Sequence, residues 1–343
     1  MDQPSSPFRL RAIQCLRAVA ALTVLLQHAV YFAGQSEGSE MIEFRRHAIG
    51  TAGVFLFFMI SGFVMAMQTG QSPSRFALHR ILRIYPGYLL ALGLSALLVA
   101  LFLPAQLPAL GFDASLFLVP AGSLSSGFQV PYWTLIYEVF FYFLLFLMIS
   151  LKFRPAWYGT FMLIWTLAIL IAPLLGITNP VWALADVTDI FFAPFNLFFI
   201  GGFLLFGAIR EGRRFALAAW LLLVLAESLG VRGVVTGFYV EVIVIGGGLL
   251  ALAALLPDLP WPRFLARLGD GSYGLYLVHA PIIRVLFVSV AGGGHGFWLA
   301  FAVFFGVGLA GGCLFGLIEF RLYRDYMRPL ADRWSRRLLP RLA

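Results

Sequence analysis

Apolar residues fall into long continuous runs separated by short polar or basic stretches, with no strict alternation. A run of about 20 apolar residues is what an α-helix needs to cross the hydrocarbon core of a bilayer. Ten runs fit this description, at about 12–32, 50–68, 84–103, 132–151, 156–175, 190–209, 215–230, 233–256, 272–291 and 297–318. The seventh and eighth are the weakest, with Glu227, Arg232 and Glu241 close together. Continuous runs favour helices over a barrel, whose strands alternate lipid-facing and lumen-facing residues. The pattern predicts an all-α fold: a polytopic integral membrane helix bundle of about ten transmembrane helices. No stretch between runs is long enough for an independent soluble domain. Residues 1–343 therefore read as one membrane domain, with a basic tail at about 321–343. Arg17 interrupts the first run and no small-residue cleavage site follows, as expected of a retained span.

Composition narrows the function classes. Of 343 residues, 61% are hydrophobic and 12% are charged, about half the ~25% charge of soluble domains. So few charges cannot cover a soluble globule, which excludes a cytosolic enzyme, a nucleic-acid-binding module and a disordered chain. The net charge of +8 carries information through its placement instead. With the N-terminus inside, 19 of the 24 Lys and Arg residues fall in cytoplasmic segments. Only Arg45, Arg46 and Arg232 fall outside, while Arg17 and Arg284 lie within runs. This bias predicts that both termini are cytoplasmic and that the span count is even. Cys15 and Cys313 both lie in apolar runs and form neither a disulfide framework nor a metal-ligand spacing, so no metal is expected. Gly201–Gly202, Gly246–Gly248 and Gly311–Gly312 read as points of close helix packing. The arginine-rich tail, with Trp334, has the composition of a segment lying on the anionic inner leaflet.

Ionisable residues inside apolar runs carry the chemical signal, because each costs ~2.5–3.5 kcal/mol in hydrocarbon even on the mildest scale. Arg17 and His28 are eleven positions apart in the first run. On an α-helix that is about 20° past three full turns, so both share one face, ~16 Å apart along the axis. A guanidinium low and an imidazole high on one face suit a polar passage, with His28 as general base. A buried histidine donating to a neighbouring carbonyl is the structural alternative. Arg80 and Arg83, in His79–Tyr88 (HRILRIYPGY), are i, i+3 neighbours shaped for phosphates, or else ordinary flanking charge. In the fourth run Thr134, Glu138 and Tyr142 share a face. Glu138 needs a cationic or hydrogen-bonding partner there, with Arg17, Arg284 or a sugar hydroxyl as candidates. Trp133, with Tyr132, reads equally as interfacial belt or sugar-stacking platform. Tyr276 and His279 are i, i+3 neighbours ahead of Pro281, which frees carbonyls at that depth.

Taken together, five stretches resemble the membrane-bound acyltransferase-3 family. They are Ile13–His28 (IQCLRAVAALTVLLQH), Gly53–Met65 (GVFLFFMISGFVM), His79–Tyr88, Trp133–Tyr142 (WTLIYEVFFY) and Ser272–Ile282 (SYGLYLVHAPI). Their order and spacing span nearly the whole chain. The opening and the WTL-x-YE-x-FFY stretch are most similar to exopolysaccharide acyltransferases. The resemblance implies transfer of an acyl group, acetyl or succinyl, from cytoplasmic acyl-CoA to a sugar hydroxyl. The acceptor is an envelope polysaccharide or its undecaprenyl-linked precursor, and the setting is a bacterial inner membrane. The family's arginine-x10-histidine pattern falls on Arg17 and His28, and its arginine-x-x-arginine pattern, associated with acyl-CoA binding, on Arg80 and Arg83. Acetyl-CoA or succinyl-CoA enters as donor substrate, with no permanently bound cofactor. The resulting site assignment has His28, Arg17 and Glu138 catalytic, Arg80 and Arg83 on the donor, and Trp133, Tyr142, Tyr276 and His279 toward the substrate. Many family members end in glutamate followed soon by proline, but Glu319 is followed by Phe320 and Arg321, so no role is carried over to it. A transporter or flippase for a polar or lipid-linked sugar is the alternative that buried titratable groups also fit. A scaffold in a polysaccharide-synthesis complex is the third.

Overall fold

The computed structural model describes residues 7–36, 49–105, 114–120, 130–172, 175–176, 186–187, 189–210, 237–256, 259–290 and 296–338. Among them the regular structure is helical, with no β-strand. The main helices are α1 (Pro7–Ser36), α2 (Ile49–Ala66), α3 (Pro73–Phe102), α4 (Trp133–Ser150), α5 (Pro155–Ile171) and α6 (Asn196–Arg210). They continue as α7 (Gly237–Leu255), α8 (Arg263–Asp270), α9 (Ser272–Val290), α10 (Phe297–Leu322) and α11 (Arg328–Leu338). Six stretches are long and apolar enough to cross a membrane: Arg11–Ser36, Ile49–Ala66, Pro73–Phe102, Trp133–Ser150, Ser272–Ser289 and Phe297–Arg337. Pro155–Ile171, Asn196–Ile209 and Val242–Leu255 are shorter apolar helices. The run expected at 215–230 lies outside the described residues.

The helix α1 is central, packed against α2, α7, α8, α9 and α10. Lipid tails are as apolar as leucine, so helices in a bilayer associate through close packing, and small residues permit it. At Gly202 of α6 an added Cβ would strike the Met59 backbone of α2, and at Gly62 of α2 it would strike the backbone of Phe199. Gly274 of α9 and Gly316 of α10 make a second such approach. Between these crossings aromatic rings fill the interior. Phe55 stacks on Phe198 and Phe141 on Phe199, each pair with centroids 3.9 Å apart.

Three features depart from the sequence expectation. First, α3 begins at Pro73, about eleven residues before the apolar run, with proline in its first turn where its missing N–H is harmless. Arg80 and Arg83 therefore lie well inside a helix. Second, α10 continues through a π-helical turn (Tyr323–Met327) into α11, which packs along the start of α3. The tail is thus docked on the bundle through residue 338, and Asp332 accepts from Arg75 at 3.3 Å and lies 3.1 Å from His79 Nε2. Third, the loop expected before the ninth run contains α8, held against α1 where Gly269 meets the Gln14 backbone. Pro281 sits inside α9 without ending it, so only local helix bonding is lost.

Candidate active site

Five helices surround a cavity of about 820 Å³, counting the space at its opening. One wall is apolar: Val54, Phe57, Ser61 and Val64 recur on one face of α2, with Phe58 beside them. The facing wall is charged and aromatic. Here α1 supplies Arg17, α3 supplies Arg80 and Arg83, α4 supplies Thr134, Glu138 and Tyr142, and α9 supplies Tyr273 and Tyr276. The i, i+4, i+8 spacing of Thr134, Glu138 and Tyr142 is what turns all three toward the same space.

Each charge has a distinct setting. The Arg83 guanidinium donates from Nη1 to Glu319 Oε1 at 2.5 Å, and Glu319 is only 2% exposed. Arg83 is also stacked on two rings, with its guanidinium carbon 4.9 Å from the Tyr273 centroid and 4.7 Å from that of Tyr323. The Tyr273 hydroxyl donates to the Ile84 carbonyl at 2.9 Å, which fixes the ring. Arg80 lies 5.4 Å from the Tyr142 centroid, and the Tyr142 hydroxyl donates to the Glu138 carboxylate. Arg17 is within electrostatic reach of Arg83, Glu138 and Glu319 but makes no ion pair among the described residues. Three guanidiniums against two carboxylates leave a cationic excess, suited to a phosphate-bearing ligand. Beyond the membrane segments, burial raises the Asp270 carboxyl above its ordinary range, while Arg17, Arg324 and Arg83 pull it down.

Past Tyr276 the polar groups continue. Its hydroxyl is 2.7 Å from Thr134 Oγ1, and its ring centroid is 5.8 Å from that of His279. His279 is 1% exposed, and its Nε2 lies 3.3 Å from His28 Nδ1. Neither histidine is in the cavity wall, and Tyr276 stands between the cavity and the pair.

The family model described as an acyltransferase domain matches residues 10–317. The chain belongs to the acyltransferase-3 family. An "Acyltransferase MdmB" from Streptomyces mycarofaciens is 26% identical over 326 residues, covering 82% of this chain and 81% of that protein. An "Exopolysaccharide production protein ExoZ" from Rhizobium meliloti is 33% identical over 261 residues, covering 69% and 78%. No solved structure matches the chain. Family membership and the apolar helices together make this a multi-pass membrane acyltransferase.

In this acyltransferase the cavity brings together Arg17, Arg80, Arg83, Glu138, Tyr142 and Tyr276 from four helices. His28 and His279 meet one layer away. Trp133 is elsewhere, packed on Phe195 at 5.6 Å between centroids. The recorded hydrogen-bond partner of Glu138 is Tyr142. Glu319 and Tyr323 were not anticipated as site neighbours. Both lie beyond residue 317, where the family match ends, and Glu319 reads in sequence as the first charge after a span. A buried guanidinium needs an anion, and that requirement is the signal that could have pointed to it.

Proposed function

We propose that this membrane acyltransferase transfers an acyl group from cytoplasmic acyl-CoA to a sugar hydroxyl of an envelope polysaccharide or its lipid-linked precursor. The observation that carries the reading is the cationic cavity whose wall at Tyr276 adjoins a pair of imidazoles, the buried His279 and the half-buried His28. The likeness to a protein named for exopolysaccharide production supports the acceptor class. Ten spans, both termini cytoplasmic and a bacterial inner membrane complete the proposed setting, supported by the arginine distribution.

Arg80 and Arg83 stand i, i+3 on α3 and bind the donor's phosphates; Glu319 and the two tyrosines hold Arg83 in place. Arg17, in the cavity ~16 Å below His28 along α1, adds its charge to the hold on the CoA part of the donor. His28 takes the proton of the sugar hydroxyl as its oxygen attacks the carbonyl carbon. The carbon–sulfur bond then breaks, the proton passes from His28 to the departing thiolate, and an ester and free CoA leave. Glu138, held by Tyr142, orients Arg17 or the acceptor.

Purified protein in proteoliposomes, given acetyl-CoA or succinyl-CoA and acceptor glycan, tests this. Free CoA thiol is measured with the mass of the glycan. His28→Ala should lower kcat by about 10²–10⁴-fold, and Arg83→Ala should raise the donor KM. Unaltered acylation in both variants would remove the assignment.

A further inference from the structure

The His28–His279 contact has a direction that the carbonyls around it decide. His28 Nδ1 lies 2.9 Å from the Val24 carbonyl oxygen. His279 Nδ1 lies 3.1 Å from the Leu275 carbonyl oxygen. A carbonyl can only accept, so each Nδ1 carries the proton of a neutral ring. Two consequences follow. His279 Nε2 is bare and presents its lone pair to the His28 Nδ1–H, 3.3 Å away. His28 Nε2 is bare as well and is the basic nitrogen of the pair. The rings meet edge-on, with centroids 4.9 Å apart and planes at 73°, an arrangement in which one N–H points at the other ring's edge.

We propose that His279 is a positioning residue that acts through His28, accepting its Nδ1–H and stabilising the imidazolium formed during transfer. The inference rests on the reading of His28 as the base. When His28 Nε2 gains the hydroxyl proton, the positive ring is left with two N–H donors. The Nδ1–H is already shared between the Val24 carbonyl and the His279 lone pair, so the new charge is met without rearrangement. Returning the Nε2 proton to the thiolate restores both neutral rings, and no proton is gained or lost by the pair. His279 touches neither donor nor acceptor in this scheme. Its anchor on Leu275, one helical turn back, holds the bare nitrogen toward α1.

Two measurements test this, and the first fails independently of the assigned reaction. The first uses wild-type protein with ¹⁵N-labelled histidine in nanodiscs, where nitrogen shifts separate protonated from bare ring nitrogens. The five histidines are told apart by single substitutions. His28 and His279 should each show a protonated Nδ1 and a bare Nε2. A protonated His279 Nε2 would overturn the proposal even if His28→Ala abolished acylation. The second is kinetic. In His279→Leu, kcat should fall about ten- to hundredfold with donor KM within about twofold, the loss of one hydrogen bond to a charged group. His279→Gln, whose amide oxygen can accept in place of Nε2, should recover most of that loss. Equal inactivity of the Leu and Gln variants, both folded by size exclusion, would overturn the proposal, as would a wild-type kcat in His279→Leu.

Discussion

At the residue scale the strongest constraint is electrostatic. Glu319 is nearly inaccessible and its only hydrogen-bonded oxygen is the one facing Arg83; its Oε2 has no partner among the described residues. Removing one member of a buried ion pair leaves the other charge desolvated, which costs about 3–5 kcal/mol. Glu319→Ala should therefore lower thermal stability in detergent sharply, and Glu319→Gln, which keeps an acceptor, should lower it less. Arg83→Lys should not substitute, since a lysine cannot hold the carboxylate while lying flat between Tyr273 and Tyr323. That variant should show a raised donor KM in the thiol-release assay. The sequence made Arg83 legible through its i, i+3 partner. It could not make Glu319 legible, because a carboxylate 236 positions away becomes a neighbour only when α10 packs beside α3.

At the scale of elements, hydropathy identified the long apolar helices among the described residues, and failed where another element supplies the cover. The first turns of α3 carry Ser74, Arg75 and His79 and read as loop, yet they are helical because α11 lies against them. Asp332 links the two, but Arg75 and Asp332 are 53% and 33% exposed, and such pairs contribute ~0–1 kcal/mol. Asp332→Ala should accordingly shift stability by less than about 1 kcal/mol, and a larger loss would mean the strap matters more than its packing. The Gly201–Gly202 pair shows the same limit at finer grain. Both read as packing glycines, but which one meets a backbone depends on the phase of α6 against α2. An added Cβ at Gly201 meets nothing within 4 Å, while at Gly202 it collides with Met59. Gly201→Ala should be neutral or mildly stabilising, and Gly202→Ala should cost about 1–3 kcal/mol through overpacking. Parallel melting curves of the two variants separate them directly.

For the whole molecule, the question is which side of the membrane the cations serve. Arg17 is near the start of α1, Arg80 and Arg83 near the start of α3, and Tyr273 opens α9, while Glu319 closes α10. Neighbouring antiparallel helices thus bring starts and ends to one level, and the guanidiniums collect there. Arg9 and Arg11 in the first turns of α1, Arg75 in the first turn of α3 and the arginine-rich tail after α10 belong to that same end. His28 stands ~16 Å further along α1, toward the opposite side. If the donor is cytoplasmic CoA, the guanidinium end must face the cytoplasm, and the positive-inside bias demands the same orientation independently. Gly70, exposed in the turn before α3, and Ala105, exposed just past its end, lie at opposite ends of one helix. In a Cys15→Ser, Cys313→Ser background, Ala105→Cys should react with a membrane-impermeant maleimide in intact spheroplasts. Gly70→Cys should react only after permeabilisation. The reverse pattern would turn Arg80 and Arg83 away from every cytoplasmic thioester, so a single labelling experiment bears on the orientation and on the donor together.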